Sequence, residues 1–258
     1  MWRELVLRGD NNHGNRFNSK EKAEEYESRR KKRKGDILLE RVKENLSSFD
    51  TVLDIGAGTG RWAIPLAKVT SKVTVIEPAR AMSDILKLNA QKAGVSRKIE
   101  LVDSTWEAAE TDVCDMVICI HAMYSSPDFT AFVKKMEAHA RRSCYMRVRY
   151  FPIDGIIQEL NQKIHGTIHD SPDFIIAYNA LLQMGIYADV FMEEMRRDWR
   201  NDSSEAAFAR AKHHLHLEND KAHDELITAT LKRRLSFNDG LYCWPDGMTT
   251  ALISWSVS

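Results

Sequence analysis

The chain has 258 residues, enough for one large domain or for a core domain carrying a smaller cap. Its 37 Lys and Arg balance 37 Asp and Glu, and this zero sum argues against a dedicated polyanion binder, which usually carries a basic excess. No apolar run approaches the roughly 20 residues of a bilayer-spanning helix, and the first ten residues lack a signal-peptide core, so no membrane association is expected.

The first 50 residues read as helical and polar. Asn18 followed by Glu21 resembles a capping box that opens a helix through Tyr26 and Arg30. Gly35-Asp36 interrupts it, and Ile37, Leu38, Val42 and Leu46 then recur as one apolar stripe. The run Arg29–Lys34 is six consecutive cations, a strong local charge hidden in the neutral sum. Because Glu21, Glu24, Glu25 and Glu27 precede it, the segment is charge-segregated, and a solvated helix face or a partner contact competes with phosphate tracking.

From Thr51 the pattern changes. Val52–Ile55, Lys72–Ile76, Ile99–Val102, Met116–Ile120 and Ser143–Tyr150 are short apolar or β-branched runs that predict strands. Helical stretches separate them at Trp62–Lys68, Ala79–Ala93 and Phe129–Arg141. Strands alternating with helices predict βαβ units and a doubly wound α/β sheet. After residue 150 the alternation stops. Helices are expected at Ile153–Ile164 and Phe174–Met184, a strand at Tyr187–Glu193, and helix through most of Arg196–Leu235. Asn238-Asp239-Gly240 and Pro245-Asp246-Gly247 are turn signals, and Thr250–Val257 is a closing strand. Three parts follow: an N-terminal helical arm or lid over 1–50, an α/β core over 51–150, and a C-terminal part over 151–258 that completes the sheet and adds a helical cap.

The sharpest feature is Val52-Leu53-Asp54-Ile55-Gly56-Ala57-Gly58-Thr59-Gly60, a strand running into glycines ahead of a helix. Glycines permit a tight turn and let a ligand approach without Cβ atoms in the way. The spacing G-x-G-x-G is neither the dinucleotide G-x-G-x-x-G nor a Walker loop, which ends in G-K-[ST]. Glu77, at the end of the second strand, can accept from both hydroxyls of a ribose. Asp103, with Ser104, follows the third strand and can accept from an exocyclic amine such as that of adenine.

In this order the three marks resemble the class I S-adenosylmethionine-dependent methyltransferases, and the match covers about residues 50 to 150. The resemblance implies a seven-stranded Rossmann-like sheet whose last strand is antiparallel, with S-adenosylmethionine as cofactor and S-adenosylhomocysteine as product. It further implies that Asp54 and the loop Gly56, Ala57, Gly58 and Gly60 face the methionine part. Glu77, followed by Pro78, would hold the ribose, Met82 would pack near the adenine, and Asp103 would hold its amine. Ser104 and Trp106 are carried to the adenine edge on the same footing.

In such enzymes the cofactor brings the reactive group, so a catalytic triad is not required. The segment after strand four, Ile120-His121-Ala122-Met123-Tyr124, lies beside the cofactor in the family. His121 is a candidate general base, and a cofactor-shell or structural role competes with it. Tyr124 is its companion candidate, with packing or lid duty as the alternative. The segment lacks the N-P-P-Y or D-P-P-Y of amino methyltransferases acting on adenine or glutamine. Cys114 and Cys119 lack the Pro-Cys or Thr-Cys setting of a pyrimidine-carbon nucleophile. By position, Tyr26 and Arg30 would close over the cofactor, and Tyr150 would face the substrate. His213, His214, His216 and His223 lack the i, i+4 spacing of a helical zinc pair, so no metal is expected. The four cysteines form no C-x-x-C pair, which suits a reducing, cytoplasmic setting. The expectation is a methyltransferase acting on a small molecule. The alternatives are a protein or RNA substrate, or a non-catalytic cofactor-binding partner protein, and the oligomeric state is left open.

Overall fold

The apolar runs assemble into one seven-stranded sheet in the order β3-β2-β1-β4-β5-β10-β6. The strands are β1 (Thr51–Ile55), β2 (Lys72–Ile76), β3 (Ile99–Val102), β4 (Cys114–Ile120), β5 (Ala140–Tyr150), β6 (Asp189–Glu193) and β10 (Thr249–Ser256). The computed structural model describes residues 1–8, 19–31, 35–151, 155–169, 171–193, 199–245 and 249–257. β1 to β5 pair in parallel, and the last strand runs antiparallel. Val52, Val73, Val75, Met116 and Ile118 are fully buried, as expected for strands covered on both faces.

The register positions the site. Ile55 lies opposite Ile76 on one side and Cys119 on the other. Gly56, Glu77 and the residues after Ile120 therefore leave the sheet at one edge. Strand order reverses between β1 and β4, and in open α/β sheets this switch point is where ligands bind.

The chain divides into two compact units. The first comprises Met1–Val148, Ile176–Phe191 and Leu252–Ser258. Its core packs Leu38 and Val42 of α3 (Ile37–Lys43), Leu66 of α4 (Ala63–Ala67) and Leu86 of α5 (Arg80–Lys92) with the sheet residues. The second comprises Arg149–Ile175 and Met192–Ala251. It has its own core, in which Leu160 of α7 (Ile156–His165), Ala207 and Ala211 of α9 (Ser204–His214) and Ile227 and Leu231 of α10 (Asp224–Arg234) meet Trp244. A small antiparallel sheet, β7 (Arg200–Asn201), β9 (Leu241–Cys243) and β8 (Ser236–Asn238), belongs to it. Asp239 and Gly240 have φ of 51° and 75° at its hairpin, the two left-handed residues of a type I′ turn.

Several sequence expectations shift. The helix expected over Phe129–Arg141 ends at Ala138, giving α6 (Phe129–Ala138). Ala140 and Arg141 instead open β5, because Ala140 pairs with Cys114 and extends both strands. The described part of Arg196–Leu235 is mostly helical, as two helices, with the short strand β7 ahead of them. The N-terminal region holds α1 (Trp2–Arg8) and α2 (Lys20–Lys31) besides α3, and α8 (Phe174–Gln183) precedes β6. Asn18, residues 32–34, Arg196 and the turn at 246–247 lie outside the described residues, as do the side chains of Arg29 and Lys31. Among the described residues, no helix is long and apolar enough to cross a membrane.

Candidate active site

The glycine loop is built by the end of β1 bending under the end of β2. The N–H groups of Gly56 and Ala57 both donate to the Ile76 carbonyl, at 2.8 and 3.2 Å. Gly56, Gly58 and Gly60 have φ of 70°, 57° and 84°, where a side chain costs roughly 1–2 kcal/mol. Gly56 is constrained a second way, because a Cβ there would lie 2.2 Å from the Ala122 Cβ. The loops after β1 and β4 thus touch across the switch point, backbone against methyl.

Glu77 ties this loop. Its Oε2 accepts from the Gly58 N–H at 2.7 Å and its Oε1 from the Ala79 N–H at 2.9 Å. Each carboxylate oxygen retains acceptor capacity for a further donor. Burial raises the Glu77 carboxyl above the ordinary range, against the two backbone bonds, and the Asp103 charge adds to the rise. Asp54 lies deeper, 2 % exposed. Burial pushes its carboxyl up to about 7, the Glu77 charge adds to this, and the Ala63 backbone N–H opposes it. Asp54 Oδ1 is buried with no hydrogen-bond partner among the described residues. A buried acceptor in this state is costly unless a donor completes it.

The structure brings Gly58, Glu77 and Met82 together, since a Cβ on Gly58 would sit 3.6 Å from the Met82 Cε. Met82 is buried with Ala79 against Ala23 of α2. Pro78 and Asp103 are exposed at the rim, and Ser104 is half-buried with its N–H on the Val102 carbonyl. Trp106 points elsewhere. Its indole is buried, donates to the Phe132 carbonyl at 3.2 Å and packs edge-on against Phe132 and His139 of the α6 side.

His121 leaves β4 with φ of 61°, a left-handed conformation that is uncommon outside glycine and clusters at functional sites. Its Nδ1 is 3.1 Å from the Tyr124 hydroxyl, and the rings stack 6.1 Å apart. Its backbone N–H donates to the Arg147 carbonyl of β5. The segment is also held from the N-terminus: Trp2 Nε1 donates to the Ser126 carbonyl at 2.8 Å, and the Trp2 ring lies 4.3 Å from that of Phe129. Cys119, fully buried beneath, has its thiol pushed up by burial.

Of the expected lid residues, Tyr26 is partly exposed on α2. Arg30 turns back onto its own helix, with Nε and Nη2 each 2.6 Å from the Glu27 carboxylate. Burial pushes the Glu27 carboxyl up, and the bonds from Arg30 and Asn89 more than offset this. Asn89 Nδ2 bridges Glu27 and the Thr59 carbonyl, at 3.1 Å each, so α2 grips the glycine loop. Tyr150 belongs to the second unit, where it meets Phe174 edge-on at 6.1 Å.

Sequence reasoning missed Asp36. It caps α3 through the Leu39 N–H and accepts from Arg61 (2.7 Å), the Trp62 indole (3.1 Å) and Arg147 (2.9 Å). Its signal was local, an Asp just before an apolar helical stripe, which is an N-cap pattern. Glu27 and Asn89 carried no signal beyond their helices.

Residues 26–166, more than half of the chain, match a family described as a methyltransferase domain. An uncharacterized protein of Haemophilus influenzae is 27% identical over 171 residues, 64% of this chain and 62% of its own length. A ubiquinone biosynthesis O-methyltransferase of Rickettsia prowazekii is 28% identical over 109 residues, 41% of this chain and 42% of that protein. The chain therefore spans less than two thirds of these relatives. Among solved structures, the YcgJ protein of Bacillus subtilis has a TM-score of 0.56 at 17% identity, over 84% of this chain and 97% of that one. A SAM-dependent methyltransferase from Thiobacillus denitrificans, in complex with S-adenosylhomocysteine, has a TM-score of 0.50 at 14% identity, over 83% and 89%. At such identities the structural likeness speaks for the fold, which here agrees with the sequence match. The chain belongs to the methyltransferase-domain family, within the class I S-adenosylmethionine-dependent superfamily.

Proposed function

We propose that this chain transfers a methyl group from S-adenosylmethionine to a small-molecule acceptor that has a proton to lose, such as a hydroxyl. The carrying observation is the acidic edge of the sheet. Asp54 Oδ1 is buried and unsatisfied, and Glu77 is spent on backbone donors with acceptor capacity left over. A ligand that is cationic at one end and rich in hydroxyls suits this set. Asp54 would take the ammonium of the methionine part, and Glu77 the ribose hydroxyls. Met82 would lie against the adenine, and Asp103 would accept from its amine. Ala57, Pro78 and Ser104 flank the same path. When bound, the cofactor supplies the methyl group on a sulfonium.

The protein then has to align the acceptor and remove its proton. His121 is assigned as the base. Its Nδ1 is within hydrogen-bond distance of the Tyr124 oxygen, and in the tautomer whose Nδ1 carries the proton Nε2 is the basic nitrogen. The O-methyltransferase relatives support an oxygen acceptor on a small molecule.

Calorimetry with S-adenosylhomocysteine tests the cofactor half, and Glu77→Ala should abolish measurable binding. Methyl-labelled cofactor incubated with fractionated cell extract tests the rest. Label in the metabolite fraction supports the reading, and label confined to protein or RNA refutes the small-molecule acceptor. Binding without label in any fraction favours a partner protein that has lost catalysis.

A further inference from the structure

The loop after β3 opens with Asp103 and Ser104 and runs to β4, with a tight turn over Trp106–Ala108. Turns leave carbonyls that need donors. Here three of them converge on one side chain. Lys135 Nζ of α6 donates to the carbonyls of Trp106 at 2.7 Å, Glu107 at 3.1 Å and Ala109 at 2.7 Å. An ammonium has three N–H donors, so all are used. The same nitrogen lies 4.7 Å from the centroid of the Trp106 ring, in cation–π range. The Trp106 indole adds its bond to Phe132, one turn earlier on α6. Strand β3 fixes one end of Asp103–Ser104, and this clamp fixes the other.

The helix itself does not need Lys135. Asp128 caps α6 through the Ala131 N–H, and Phe132, Val133 and Met136 bury its apolar face. Lys135 is only half-buried, so its bonds act on the loop more than on the core.

We propose that Lys135 is a positioning residue for base recognition: by tying the Trp106–Ala109 turn to α6, it sets where Asp103 meets the exocyclic amine of the adenine. The proposal rests on the cofactor reading above. Lys135 touches no ligand and acts through Asp103.

Its signature is selectivity for the base, which a merely structural role would not move. The probes are S-adenosylhomocysteine and S-inosylhomocysteine, which carries oxygen in place of the amine. The wild-type chain should prefer the adenine form by about tenfold, the scale of one hydrogen bond to a charged group. In Lys135→Met the two should bind within about threefold of each other. Lys135→Arg is the second variant, because a planar fork keeps the cation but cannot address three convergent carbonyls. Circular dichroism melts identify which variants are folded. A wild-type chain that binds neither compound refutes the cofactor reading itself. A wild-type chain that binds both equally removes the Asp103 contact, and the proposal with it. A wild-type preference retained in either folded variant overturns the role of Lys135.

Discussion

Gly56→Ala is the sharpest test of the geometry at the switch point. Two penalties act there. The first is conformational: at φ of 70° an alanine costs about 1–2 kcal/mol. The second is steric: the new Cβ would sit 2.2 Å from the Ala122 Cβ, so one loop must move, at about 1–3 kcal/mol for overpacking. Gly58→Ala is the internal control. It meets the first penalty at φ of 57°, but its Cβ would find the Met82 Cε at an ordinary 3.6 Å. Urea unfolding should therefore place Gly58→Ala about 1–2 kcal/mol below wild type and Gly56→Ala about 2–5 kcal/mol below. Ala122→Gly removes the colliding methyl and leaves the Gly56 strain in place. In the Gly56→Ala background it should return about 1–3 kcal/mol, a coupling a double-mutant cycle reads directly. Equal losses for the two glycine variants, or a cycle with no coupling, would refute the close approach of the β1 and β4 loops.

Other outcomes follow from the charges. Asp54 has its folded carboxyl pushed up to about 7, well above the ordinary range. The native state then holds a proton the unfolded chain has lost, so this group makes stability fall as pH rises from about 4 to about 7. Asp54→Asn should flatten that window in melts at stepped pH. An ammonium ligand would favour the ionised form, so S-adenosylhomocysteine affinity should tighten as pH rises toward 7, and lose that dependence in Asp54→Asn. His121→Asn keeps a residue that tolerates the left-handed backbone. It should lower kcat by about 10²–10⁴ while the cofactor Kd and Tm hold, and an unchanged kcat would remove His121 as the base. Asp36→Asn takes a charge partner from Arg147, which is 1 % exposed, and should cost about 3–5 kcal/mol in urea titration.

The sheet was legible because its strands are covered on both faces and so are written as apolar runs such as Met116–Ile120. Their ends were less so, since pairing partners set them: Ala140 became strand because Cys114 lies opposite. The glycine loop could be read from its spacing, because glycine is demanded where the backbone takes positive φ; Asp54, Glu77 and Asp103 were singled out by their places at strand ends together with the family resemblance. Other features depend on tertiary placement. Nothing in H-A-M-Y announces that His121 adopts φ of 61°. A lysine that fastens three carbonyls looks, in sequence, like any lysine on a helix. Arg30 was expected to close over the cofactor; here Glu27, three residues before it on the same helix, holds it in two short bonds. Trp106 has the apolar area to be drawn into α6, and that outweighed its nearness in sequence to Asp103.

The Asp36–Arg147 contact joins residues 111 positions apart. A charge on Arg147 at 1 % exposure is tolerable once Asp36 is beside it, and Asp36 is in place once α3 has docked against Arg61 and Trp62. Closing a loop of this length costs entropy that the contact then offsets. The full contact set of Asp36 therefore needs both the loop after β1 and β5 in place. One carboxylate at the start of α3 thus ties the far end of the glycine loop to β5, so a shift of α3 is felt at both places.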